Sequence, residues 1–159
     1  MRKIYVYRND AGEVPVLRFI ESTHKKIRSK FDFMLQFAKD ERNMLCEPYV
    51  KHFSIDKYKM LYELRIRANG TMVRVIYSIR NGVPSFNGSA EIAAEKNRGL
   101  SQGDKSSVFS YKAEENIILL HAFFKKSRRD TENALEYALK ILSSFDDSAL
   151  YPTEHLTEV

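Results

Sequence analysis

A chain of 159 residues with 43% hydrophobic content is long enough for one domain with a real core. Cys46 is the only cysteine, which excludes an intrachain disulfide and a cysteine-based zinc site, and no apolar run approaches the length of a membrane span. The formal net charge of +5 is uneven: residues 1–80 carry 17 basic and 9 acidic groups, residues 81–130 carry 8 and 6, and residues 131–159 carry 1 and 6, which predicts a basic, polyanion-facing body and an acidic end.

Ile4-Tyr5-Val6-Tyr7 reads as a short strand, ended by the turn cluster Asn9-Asp10-Ala11-Gly12. Charge at Arg8 and Asp10 comes too early for a signal peptide, so a cytoplasmic protein is expected. Pro15 suits a first helical turn. Val14, Leu17, Ile20, His24, Ile27, Phe31, Met34, Leu35 and Ala38 then recur at helical spacing. Ser22-Thr23 offers a break, giving helices near 14–21 and 24–41 folded as a hairpin; Ser29 with Asp32 is an alternative capping box. Residues 42–58 read as an irregular connection, followed by strands near 60–67 and 72–80.

Between those strands stands Asn69-Gly70, a strong hairpin signal because both turn residues must accept positive φ. With these two at the centre, Leu64 meets Val75, Tyr62 meets Tyr77 and Ile66 meets Val73 on one apolar face. The same register sets Arg65 opposite Arg74 on the other face, with Arg67 two residues further along it. Like charges directly across a strand pair are destabilising, so a polyanion is expected to supply the counter-charge.

Residues 82–115 turn polar and read as an inserted loop or small subelement. Ile117-Ile118-Leu119-Leu120 resumes as a buried strand, and Asp130 or Thr131 caps a last helix through Phe145. A single domain over 1–146 with an acidic tail over 147–159 follows. The order places helices on one side of an antiparallel-rich sheet, an α+β layering whose other face, with Glu63, Arg65, Arg67 and Arg74, meets solvent or ligand.

Leu61-Tyr62-Glu63-Leu64-Arg65, then Val73-Arg74-Val75-Ile76-Tyr77, then Leu119-Leu120-His121-Ala122-Phe123-Phe124-Lys125-Lys126-Ser127, closed by a helix, resembles the RelE/HigB toxins of toxin–antitoxin pairs. Pro15-Val16-Leu17-Arg18-Phe19-Ile20 is similar to the first helix of the HigB-like, phage-related branch. The long 82–115 insertion and the proline-free Lys125–Thr131 ending depart from the family pattern. The resemblance implies a RelE-like fold and a cytoplasmic endoribonuclease that cuts mRNA on the translating ribosome, without metal or other cofactor. It also implies silencing by a cognate antitoxin and cleavage by 2′-OH attack to give a cyclic phosphate.

Such cleavage needs charge stabilisation at phosphorus, a base and an acid. Arginine fits the first task, since its planar fork binds two phosphate oxygens and stays charged. The resemblance assigns Arg65 and Arg74 to the phosphate, Lys126 to proton transfer and Lys125 to a phosphate contact. Arg67, Lys51, His52, His121, Arg128 and Arg129 are candidate RNA contacts; His121 sits inside an apolar strand, where a lone histidine is usually a core group, and otherwise offers a near-neutral pKa. His24, His52, His121 and His155 have no paired ligand spacing, so no metal site is expected. Two other functions remain open on this fold: a ParE-like protein-binding inhibitor, for instance of gyrase, and a non-catalytic phage-related adaptor.

Overall fold

The computed structural model describes residues 2–81, 115–144 and 146–153. Of the insertion expected over 82–115, only Glu115 falls within the described residues. Strand β1 (Lys3–Tyr7) precedes helices α1 (Pro15–Glu21) and α2 (Lys25–Lys39). Then come β2 (Val50–His52), a 3-10 turn (Asp56–Tyr58), β3 (Leu61–Ala68), β4 (Thr71–Asn81), β5 (Glu115–Phe124), α3 (Arg128–Ser144), a second 3-10 turn (Asp147–Ala149) and β6 (Leu150–Pro152). The strands form one six-stranded sheet in the order β2-β3-β4-β5-β1-β6, and only β1 and β5 run parallel. This is the expected α+β, antiparallel-rich architecture with an N-terminal helical hairpin and a C-terminal helix, consistent with a small RelE-like fold.

The break between the first helices lies at residues 22–24. Ser22 and Thr23 turn their hydroxyls back onto the carbonyls of Phe19 and Ile20, at 2.6 and 2.5 Å, which ends α1. His24 then caps α2, its Nδ1 accepting the Lys26 N–H at 3.2 Å. Ser29 and Asp32 lie inside α2, so the alternative capping box is not used. In the β3–β4 hairpin Asn69 and Gly70 have φ of 54° and 71°, as the two-residue turn demands, and every strand pair expected from the sequence forms.

Helices cover both faces of the sheet, not one. Against one face α1 and α2 bury Val16, Ile20, Ile27 and Phe31 with Leu64, Ile66, Val73 and Val75. Against the other, α3 buries Ala134, Leu135, Ala138 and Ile141 on Leu61, Ile76, Ile118 and Leu120. The physical reason is plain: aliphatic side chains that alternate onto the second face need cover, each worth roughly 1.5–3 kcal/mol when buried. Only the turn end of that second face, where the arginines lie, escapes the apolar layer.

A one-residue shift in β5 matters for the site. Ile76 pairs with His121 but Tyr77 pairs with Leu119, leaving Leu120 as the extra residue. Without it His121 would share the face of Leu119; with it, the imidazole meets Tyr137 of α3 at 4.7 Å between ring centroids.

Two strands escaped the sequence reading. β2 lies in the connection taken as irregular and exists through its pairing with β3, where Val50 meets Leu64. β6 lies in the segment taken as an acidic tail; it pairs antiparallel with β1, and Thr153 Oγ1 donates to the Ile4 carbonyl at 2.9 Å.

Candidate nucleic-acid interface

Arg65 of β3 faces Arg74 of β4, and Arg67 stands two residues on, opposite Met72. The counter-charge for this crowding is partly internal, which corrects the expectation that only an external polyanion supplies it. Glu63, 1% exposed, lies on the same face two pairs further from the turn. Its Oε1 accepts a hydrogen bond from Arg65 Nε at 3.1 Å and lies 3.3 Å from Arg74 Nε. Its Oε2 has no hydrogen-bond partner among the described residues. One buried carboxylate therefore holds two guanidinium groups side by side, and a third stands next to them.

Three guanidinium groups against one carboxylate leave an excess of positive charge. Burial pulls the Arg74 guanidinium below its ordinary pKa, Glu63 pushes it back up, and Arg65 and Arg67 lower it further. A bound anion would add to the effect of Glu63 and offset the like-charge effects of Arg65 and Arg67. On the outer side Arg67 and Arg74 direct Nη2 groups at the Met72 sulfur, at 3.1 and 3.8 Å. A thioether is a weak acceptor, so phosphate oxygens would replace it favourably.

Lys51 joins this face, because its β2 position pairs directly with Glu63; its ammonium lies 5.6 Å from the centre of the Phe53 ring. His121 and Phe123 join it from β5, with Phe123 opposite Arg74 and the two rings stacked at 5.9 Å. Burial lowers the His121 pKa, so the imidazole is neutral at physiological pH. The Lys125 N–H donates to the Met72 carbonyl at 2.9 Å, which extends β5 by one residue beside the arginine rows.

The remaining candidates are placed differently. His52 pairs with Tyr62 on the opposite face, its ring stacked on Tyr62 at 4.5 Å and its Nε2 2.6 Å from the Lys59 carbonyl. It does not join the arginines. Lys126 is exposed, and its backbone N–H donates to Asp130 Oδ2 at 2.9 Å. Ser127, not Asp130 or Thr131, precedes α3: Asp130 Oδ2 accepts the Ser127 N–H at 2.9 Å while Ser127 Oγ accepts the Asp130 N–H at 3.4 Å, a reciprocal capping box. Arg128 and Arg129 therefore occupy the exposed first turn of α3, where the helix dipole disfavours cations.

Sequence reasoning passed over two features. Glu63 as the shared anchor was signalled by alternation, since it stands two residues before Arg65. The other is a groove of about 730 Å³ between α2, the connection before β2 and the outer end of β3, walled by Phe33, Phe37, Met44 and Tyr49. Its signal was the repeat of Phe33 and Phe37 at i, i+4 beside the buried stripe of Ile27, Phe31, Leu35 and Ala38.

Among the described residues no three His, Cys, Asp or Glu side chains gather as a metal site, and no helix is long and apolar enough to cross a membrane. Residues 18–83 match the family model described as Phage derived protein Gp49-like (DUF891). The matched stretch runs from within α1 past the end of β4, so it contains Glu63, Arg65, Arg67 and Arg74 but neither β5 nor α3. No curated protein and no solved structure gives a significant match.

Proposed function

We propose that this protein is the toxin of a toxin–antitoxin pair and a metal-independent endoribonuclease acting on mRNA at the translating ribosome. The observation that carries the reading is the cluster of Arg65, Arg67 and Arg74 around one buried carboxylate. The RelE/HigB-like motifs, and the Gp49-like match over the two of them on β3 and β4, support it.

In this reading Arg65 and Arg74 grip the two non-bridging oxygens of the scissile phosphate, and their fixed charge stabilises the pentavalent phosphorane. The ribose 2′-oxygen attacks phosphorus, the bond to the 5′-oxygen breaks as that oxygen takes a proton from water, and a 2′,3′-cyclic phosphate and a 5′-hydroxyl are left. His121, neutral and on the same face, is better suited than Lys126 to take the 2′-OH proton, and Lys125 at the strand end contributes charge. An antitoxin would silence the enzyme by covering the cationic face.

Expression of wild type and Arg74→Ala in a bacterium, followed by mapping of mRNA 5′ ends, tests the proposal. New ends downstream of cyclic-phosphate termini are expected from wild type, with loss of at least about a hundredfold in Arg74→Ala, the scale of one removed oxyanion contact. Equal growth arrest by both variants with intact mRNA would overturn it, and DNA damage in that case would favour a ParE-like inhibitor.

A further inference from the structure

We propose that the groove between α2 and the outer end of β3 is a base-binding subsite, which takes an unpaired RNA base flanking the phosphate gripped by Arg65 and Arg74. The proposal rests on the RNA reading above and extends it to the recognition of the substrate. Phe33 and Phe37 are 68% and 40% exposed, one helical turn apart, with ring centroids 6.5 Å apart and planes at 28°. On the other wall Tyr49 and Met44 are 64% and 79% exposed. Four large apolar side chains left open to water around one groove call for a ligand with a flat apolar surface.

The charge of the groove defines the rest of that ligand. Lys30, Arg65, Arg67 and Arg74 line it, and no carboxylate does so among the described residues. The same three arginines form the phosphate cluster, so the groove continues directly from it. An anion joined to a flat ring is the chemistry of a nucleotide, and aromatic walls beside guanidinium groups are how proteins hold single-stranded RNA.

A peptide adding itself to β3 as another strand fits less well. The Arg65 N–H already donates to the Tyr49 carbonyl at 2.8 Å, and Lys30 Nζ donates to the Arg67 carbonyl at 2.5 Å. The edge that such a peptide would pair with is thus partly occupied, in one case by an edge lysine. A base needs none of those backbone groups.

The test measures binding by the purified protein of a six-nucleotide single-stranded RNA and of the same ribose-phosphate oligomer without bases. Phe33→Ala and Tyr49→Ala should each weaken RNA binding at least about fivefold, the scale of one lost stacking contact, and leave the base-free oligomer nearly unaffected. Tyr49→Phe should restore most of the loss, and unchanged melting curves would show that the exposed rings are not needed for folding. Full RNA affinity in both alanine variants, with loss only in Arg74→Ala, would overturn the subsite while leaving the cleavage reading intact. Binding of an acidic, apolar peptide in place of RNA, abolished by the same ring substitutions, would overturn it in favour of a protein partner.

Discussion

Glu63 reaches across the hairpin to Arg74, with 3.3 Å between Glu63 Oε1 and Arg74 Nε, while the same oxygen accepts the Arg65 Nε–H. Both Glu63 and Arg74 are buried, at 1% and 7% exposure. Removing one member of such a pair leaves an uncompensated buried charge. Glu63→Gln should therefore lower the unfolding free energy by about 3–5 kcal/mol in chemical denaturation. Glu63→Gln combined with Arg74→Met should lose less than the two single changes together, because the second removes the charge that the first leaves stranded. A single-variant loss under about 0.5 kcal/mol would show that the cluster does not depend on this carboxylate.

The start of α3 sets stability against charge. Hydrogen bonds from the Lys126 and Ser127 backbone amides hold the Asp130 carboxyl below its usual pKa. Because the folded value is depressed, this cap contributes above the ordinary carboxylate value of 3.8 and is lost as pH falls through the lower folded value. Asp130→Ala should lower the melting temperature at neutral pH and change it little in acid. Arg128→Glu should have the opposite sign, raising stability by about 0.3–1 kcal/mol through the helix dipole. If the arginine contacts RNA, that gain comes with weaker RNA binding and a flatter salt dependence; unchanged binding would make Arg128 a solubility residue.

The parts of this fold legible in the sequence are those with local causes. Asn69-Gly70 set the hairpin register, and with it the meeting of Arg65 and Arg74, because a two-residue turn leaves one pairing. The parts that were not legible depend on distant partners. Val50-Lys51-His52 has too few residues to declare a strand, and Leu150–Pro152 becomes one through β1. The unbroken run Ile117–Leu120 already implied cover on both faces, which a one-sided helix layer cannot provide. Which of Lys51 and His52 shares the face of Glu63 follows only from the β2–β3 pairing, which sets Lys51 opposite Glu63 and turns His52 away.

Gly70 sits at φ 71°, and a Cβ added there would meet nothing within 4 Å. The cost of Gly70→Ala therefore comes from the left-handed backbone alone, about 1–2 kcal/mol, and not from a clash. Thermal melts should show that loss. Because the turn fixes the register, the variant should also weaken RNA binding once it is partly unfolded, and not at temperatures where it remains folded. A clear affinity loss in the fully folded variant would mean that the turn touches RNA directly.

His121 gives the pH dependence. Burial between Phe123 and Tyr137 disfavours the imidazolium, so the folded pKa lies below the ordinary 6.5. Between the two values the unfolded chain binds more protons than the folded one, so stability rises with pH there. The contribution is complete above about 6.5 and is lost as pH falls through the folded value. Wild type should thus lose stability relative to His121→Gln as the solution is acidified from pH 7 towards 5, as read by denaturation midpoints. The cleavage rate should follow the same residue: it climbs through the depressed pKa, is flat above it, and loses that limb in His121→Gln. Cleavage with an unchanged pH profile in His121→Gln, and its loss in Lys126→Met, would instead return the proton transfer to Lys126.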